Sequence, residues 1–315
     1  MSGHGGEVMM NVLLIGAGAV GTYFCGRLAQ GGAKVAVVAR GDYEVVKERG
    51  YHIRSVAGDF DFHPAAVLKD SADYQETPDY VIAATKVLPE LDLVGMLRPV
   101  IRSPKTVIVL IQNGIDIEKT VRAAFPDNEL LSTIAYIGVS RPARGEVLHQ
   151  GSGNLKTGVY PSGISESAKR LAAAFGAGGV KCELSEDIRF VRWYKLLWNL
   201  PFNPVSVLAG RVDTRTMTDR AELEKLCWSL MLETIAVANA CGVALSEKDA
   251  RSQMEYTREF PAYKTSMLQD FEAGRELEVE AILGNAVRLA HQNNVPVPKM
   301  EACYALLKSV NLHRS

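Results

Sequence analysis

Residues 11–30 read NVLLIGAGAVGTYFCGRLAQ. The stretch opens on an unbroken apolar run, Val12–Ile15, and passes through Gly16-Ala17-Gly18-Ala19-Val20-Gly21. It continues as a helical pattern from Ala19 to Gln30 that Gly31-Gly32 ends. A G-x-G-x-x-G between a strand and a helix has a mechanical reading. Gly16 permits a tight turn, Gly18 lets the backbone approach a pyrophosphate, and Gly21 lets the helix lie close on the strand. The helix N-terminus then offers N–H groups and a positive dipole end to phosphates. Alone, the motif also fits a glycine-rich turn that holds nothing. Its place at the head of a βαβ unit favours the dinucleotide reading.

Working outward, Val35–Ala39 (VAVVA), Tyr80–Ala84 and Thr106–Ile111 read as further buried strands. Leu130–Gly158 is strand-rich and Ser165–Phe175 helical. Strands alternating with helices predict βαβ units and a parallel sheet. Beyond residue 186 the pattern is helical: Asp187–Leu200, Ala221–Cys241, Ser246–Glu259, Thr265–Ala273, Glu278–Gln292 and Met300–Asn311. The expected fold is α/β, with an N-terminal Rossmann-type dinucleotide-binding domain over 1–186 and an all-α C-terminal domain over 187–315. Residues 1–8 read as a disordered extension.

Composition narrows the class. With 47% hydrophobic and 23% charged residues, the 315-residue chain is of globular type. Its 35 Lys+Arg against 36 Asp+Glu leave a net charge of -1, which argues against nucleic acid or an anionic membrane as partner. No apolar run has the length of a membrane span or a signal-peptide core. Five cysteines, an odd number without C-x-x-C, fit a reducing cytoplasm better than a disulfide framework. The six scattered His show no metal-ligand spacing, so no metal is expected.

Two further places carry chemistry. Arg40 directly follows VAVVA, where NAD enzymes commonly place an acid and NADP enzymes an Arg. Its position favours NADP, although Asp42 follows two residues later. Trp193–Leu208 reads WYKLLWNLPFNPVSVL, in which Lys195, Asn199 and Asn203 are spaced to share one helical face. Pro201 and Pro204 predict a kink. Such a face fits an amphipathic helix whose lysine snorkels to water. It equally fits a partly buried lysine whose lowered pKa lets it donate a proton near neutral pH.

The motifs GAGAVG, Thr85-Lys86, Gln112-Asn113-Gly114, KLLWNLPFNP at 195–204 and TSMLQDFEAGRELEVE at 265–280 resemble, in order and spacing, the ketopantoate reductase (2-dehydropantoate 2-reductase) family. The resemblance spans Asn11 to Lys308. It implies NADPH-dependent reduction of 2-dehydropantoate to (R)-pantoate, in pantothenate and coenzyme A biosynthesis. It also implies that Gly16, Ala17, Gly18, Ala19, Val20 and Gly21 hold the NADP pyrophosphate and Arg40 its 2′-phosphate. Lys86, Asn113 and Val139 would lie beside the cofactor, Val139 standing where the family usually has Ala. Lys195 would donate the proton. Asn199, Asn203 and Ser266 would bind a small 2-oxo acid, with Lys195 also touching it, and Glu278 would contact the cofactor or hold Lys195.

Each of these residues also has a plain reading as a loop residue, a helix cap or a surface acid. Tyr263 and Asp213 stand where substrate contacts vary, so another 2-oxo acid remains open, as does an opine- or hydroxyacid-type dehydrogenase. A non-catalytic NADP-binding sensor would need neither Lys195 nor Glu278. The helical domain offers apolar surface for a homodimer, though nothing in the sequence forces one.

Overall fold

A computed structural model describes residues 9–312; residues 1–8, read above as disordered, lie outside the described residues. By packing, the chain divides into two units. Unit 1 comprises residues up to Lys86, Asp92–Gln112 and Glu118–Ile188. Unit 2 comprises Val87–Leu91, Asn113–Ile117 and everything from Arg189 on. The sequence boundary at 186 therefore misses two short segments that leave unit 1 and return to it.

Unit 1 contains β1 (Asn11–Ile15), α1 (Ala19–Gln30), β2 (Lys34–Val38), α2 (Tyr43–Arg49), β3 (Tyr51–Ser55), β4 (Phe60–Phe62) and β5 (Ala66–Leu68). It continues with β6 (Tyr80–Ala83), α3 (Leu93–Leu97), β7 (Val107–Leu110), α4 (Glu118–Ala124), β8 (Leu130–Ser140), β9 (Glu146–Val159), α5 (Glu166–Ala177) and β10 (Cys182–Leu184). Among the described residues the ten strands form one sheet in the order β4-β3-β9-β8-β7-β6-β1-β2-β5, with β10 also on β9. Its middle, β8-β7-β6-β1-β2-β5, is parallel.

The sheet as a whole is mixed, which corrects the expectation of a parallel one. The long β8 and β9 pair antiparallel, and β4 pairs antiparallel with β3. The short turn between β8 and β9 allows this, since antiparallel neighbours need no crossover helix.

The apolar strands are covered on both faces. Val12 and Leu14 join a core with Val35, Val37, Ile82 and Val109, under Phe24 and Leu28 of α1 and Phe175 of α5. Leu13 and Ile15 join the opposite core with Val38, Val81 and Leu110, under Leu97 of α3 and Val121 of α4. This two-residue alternation between two buried layers explains why the strands read as continuous hydrophobic runs.

Unit 2 is helical among the described residues: α6 (Ile188–Leu208), α7 (Thr214–Asp219), α8 (Ala221–Ala240), α9 (Glu247–Glu259), α10 (Ser266–Glu272), α11 (Asn285–Gln292) and α12 (Pro298–Leu312). A π-helical turn, Glu280–Gly284, leads into α11. Helix α6 runs through both Pro201 and Pro204, eight residues beyond its expected end. Leu200, Phe202 and Val205 are buried in the unit's core, and that packing outweighs the local cost of the prolines.

Candidate active site

In unit 1 the strand ends build a cradle by excluding side chains. Gly16, straight after β1, has φ +97°. A Cβ there would lie 2.5 Å from the Thr85 backbone N. At Gly21 a Cβ would meet the Gly16 carbonyl oxygen at 2.5 Å and Leu14 Cδ1 at 2.9 Å. Gly18 differs, because a Cβ there meets nothing within 4 Å. It stands at the N-cap of α1, where no side chain caps the helix and the first turn holds no acid. The first-turn N–H groups, from Ala19 on, have no intrahelical acceptor, and such a helix end favours negative charge.

Around this loop, Gln112 Nε2 donates to the carbonyl oxygen and to the Oγ1 of Thr85, both at 2.9 Å, tying the ends of β6 and β7 together. Lys86, next to Thr85, is partly buried. Val139 is also partly buried, near the end of β8 and beside a bulge. Arg40 is exposed, two residues past the end of β2. Asp42 is turned inward, 3% exposed, and its Oδ2 accepts from Arg141 Nη1 at 3.1 Å and from the Gly145 N–H at 3.3 Å. The acid near the end of β2 is thus engaged by the protein itself.

In unit 2 the face predicted on α6 exists, and it carries one more residue than expected. Arg192, Lys195, Asn199 and Asn203 follow one another at three- and four-residue steps. Lys195 Nζ donates to Asn113 Oδ1 at 2.9 Å, across 82 residues of sequence. The turn that carries Asn113 is tightly held. The Ile115 N–H donates to the Ala281 carbonyl at 3.0 Å, and Asn285 Nδ2 donates to the Ile115 carbonyl at 2.7 Å. Gly114 has φ +102°, and a Cβ there would come within 2.7 Å of Ala281.

Glu278, expected on a helix, lies in the irregular stretch just before it. Its Oε1 accepts the Val87 N–H at 2.9 Å. Burial, helped by the Arg192 charge and opposed by the Glu278 carboxylate, lowers the Lys195 pKa to about 8. A cavity of about 660 Å³ in the same unit is lined instead by Val87, Leu88, Glu280, Arg288 and Lys308, among others, and does not include Lys195.

Farther along α6, Asn199 is buried and Asn203 fully so. Among the described residues neither amide atom of Asn203 has a hydrogen-bond partner. An orphaned buried amide is costly and suits a position that a ligand completes. Ser206 Oγ donates to the Asn203 carbonyl at 2.7 Å and lies 2.7 Å from Thr265 Oγ1, which therefore donates to it. Thr265 caps α10 by accepting the Leu268 N–H. Ser266, the first residue of that helix, is exposed. Ser206 and Thr265 thus connect α6 to the segment of Ser266, a link that neither residue's type reveals in sequence.

Asp213 caps α7, accepting the Thr216 N–H at 2.8 Å, and that bond holds its carboxyl below the usual range. Tyr263 lies 6.5 Å, centroid to centroid, from Trp198 of α6.

Two family models match the chain: "Ketopantoate reductase PanE/ApbA" over residues 12–162 and "Ketopantoate reductase PanE/ApbA C terminal" over 187–311. The crystal structure of 2-dehydropantoate 2-reductase from Methylococcus capsulatus is 46% identical. It covers 97% of this chain and 98% of its own, with a TM-score of 0.91. The chain belongs to the ketopantoate reductase family.

Among curated ketopantoate reductases, the 2-dehydropantoate 2-reductase of Nostoc sp. is 29% identical over 300 residues, covering 94% of this chain and 93% of that protein. At 20% identity, D-mandelate dehydrogenase, solved with NADH and anilino(oxo)acetate, shares the fold with a TM-score of 0.86 over 96% of this chain and 99% of its own. The chain is accordingly an oxidoreductase of the ketopantoate reductase type. Among the described residues no helix is long and apolar enough to cross a membrane.

Proposed function

We propose that this protein reduces 2-dehydropantoate to (R)-pantoate with NADPH, in a reducing cytoplasm and as a step toward pantothenate and coenzyme A. NADPH, when bound, supplies the hydride to the ketone carbon. The chain's own residues do the rest. Gly16–Gly21 and the N-terminus of α1 receive the pyrophosphate, with Lys86 and Val139 beside the cofactor. Arg40 pairs the 2′-phosphate, a preference supported by its exposure while Asp42 is bound to Arg141 and the Gly145 N–H.

Lys195 gives its proton to the developing alkoxide and, before that, stabilises the oxygen with its charge. Asn113 fixes the direction of Nζ. Asn199, Asn203 and Ser266 hold the carboxylate and hydroxyl of the substrate, and Glu278 sets the segment before the π-helical turn against Val87. The lysine emerges neutral and recovers its proton from water.

The observation that carries this reading is the Lys195–Asn113 pair: a lysine with a pKa of about 8, held by a neutral amide. An acid of that strength is largely protonated at neutral pH yet yields its proton readily. The free cysteines, three of them buried, suit a reducing compartment.

The test is oxidation of NADPH, and of NADH in parallel, against a panel of 2-oxo acids that includes 2-dehydropantoate. A kcat/KM highest for 2-dehydropantoate with NADPH supports the assignment. A clear preference for another 2-oxo acid moves the enzyme to a neighbouring specificity, and failure with all of them sinks the reading.

A further inference from the structure

One turn before Lys195 on α6 stands Arg192, 5% exposed, a residue type that is almost never buried without engaged partners. Its Nη1 donates to the Gly114 carbonyl at 3.0 Å. Gly114 is pinned on its other side, because its φ of +102° and its close approach to Ala281 leave no room for a Cβ. The neighbouring residue is Asn113, whose Oδ1 accepts from Lys195 Nζ. One helix face therefore grips two successive residues of the turn, Arg192 by the backbone and Lys195 by the side chain.

We infer that Arg192 is a positioning residue for the proton donor: it locks the Asn113–Gly114 peptide so that Asn113 keeps Nζ aimed, and it sets a second positive charge beside the ammonium. This rests on the reading of Lys195 as the acid. Among the described residues, the charges that shift Lys195 include Arg192, from its own helix, and Glu278, from the segment before the π-helical turn. Asn113 faces it as a neutral amide. Arg192 makes the ammonium easier to deprotonate and Glu278 makes it harder. Like charges three residues apart on a helix repel, and that repulsion is largest where water is excluded. A guanidinium suits the task because it does not itself release a proton at any working pH.

The test titrates Lys195 directly by NMR of the full chain carrying isotope-labelled lysine, its signal assigned by its loss in Lys195→Ala. Two variants separate charge from contact. In Arg192→Gln the charge is gone, so the Lys195 pKa should rise from about 8 by roughly one unit. kcat should fall about tenfold or more as the turn loosens, with KM little changed. In Arg192→Lys the charge stays but the reach is shorter, so the titration should hold near 8 while kcat still falls.

A folded Gln variant whose Lys195 titrates as in the wild type overturns the inference. If that variant does not fold, Arg192→Lys decides alone: titration back in the ordinary lysine range, or an unaltered kcat, overturns it. Wild-type protein that reduces no 2-oxo acid defeats the functional reading while leaving the titration readable. An active enzyme whose Lys195 ignores residue 192 defeats this inference only.

Discussion

In the loop between β1 and α1, what matters is where side chains are missing. Gly16 and Gly21 have no space for a Cβ, and at Gly18 a Cβ would meet no atom of the described residues within 4 Å. In the face of α6 the reverse holds. Arg192, Lys195, Asn199 and Asn203 bring charge and amides into an apolar helix, and the first two are satisfied by a turn about 80 residues earlier. The loop works through local backbone geometry, so twenty contiguous residues describe it. The lysine face works through long-range partners, and its chemistry belongs to the pairings rather than to the helix. Substitutions in the first region should therefore report on folding and cofactor binding, and those in the second on turnover.

The largest effect should come from Lys195→Ala. Loss of a general acid costs ~10²–10⁴-fold in kcat, while NADPH titration and thermal melting stay near wild type. A single-turnover assay showing ordinary hydride transfer would break the contrast between the two regions. In the wild-type enzyme, kcat/KM should decline as pH rises through about 8, because the acid is then deprotonated. A profile flat to pH well above that value would speak against Lys195.

Asn203→Leu offers a sharper separation. Its amide has no hydrogen-bond partner among the described residues, so removing it should leave the melting temperature unchanged or raised. Loss of a hydrogen bond to a charged substrate group should still lower kcat/KM by roughly 10- to 100-fold, the equivalent of ~1.5–3 kcal/mol. Destabilisation with activity intact would show that Asn203 serves the fold instead.

Next in size, Arg40→Ala should weaken NADPH binding by ~1.5–3 kcal/mol and leave NADH binding almost unaltered. Equal losses for both cofactors in calorimetric titrations would remove Arg40 from the 2′-phosphate. Within the loop itself, Gly21→Ala should cost ~1–3 kcal/mol of stability through overpacking. Gly18→Ala should melt like the wild type yet bind NADPH less well. If the two alanine variants behave alike, the division of labour among the glycines is wrong.

The smallest expected effect is a shift in pH dependence. Glu278→Gln retains an acceptor for the Val87 N–H but removes the carboxylate that raises the Lys195 pKa. The falling limb of kcat/KM should therefore move to lower pH, by less than about one unit. A limb that stays in place would confine Glu278 to a structural contact.

Much of this was legible in residue order, for definite reasons. The helix Ala19–Gln30 matches its reading residue for residue, since a glycine-rich turn and Gly31-Gly32 bracket it. The short elements α2, α3, α7 and β3–β5 were not visible, because three to seven residues carry too little periodicity to announce a helix or strand. Helix α6 passed its prolines because buried neighbours on the same helix outweigh a local preference. For the candidate site, residue spacing placed Lys195, Asn199 and Asn203 on one face of α6, because i, i+4 steps encode a face.

The sequence by itself determined a dinucleotide-type strand–turn–helix, a helical second half and a lysine in an apolar helix, since each depends on neighbours within a few residues. It could not determine that Arg192 and Lys195 seize one turn, that Glu278 holds Val87, or that Asp42 is occupied by Arg141. It also could not say that burial lowers the Lys195 pKa. A pKa, a hydrogen bond and an unsatisfied amide are properties of what surrounds a group, and only the folded chain brings those surroundings together.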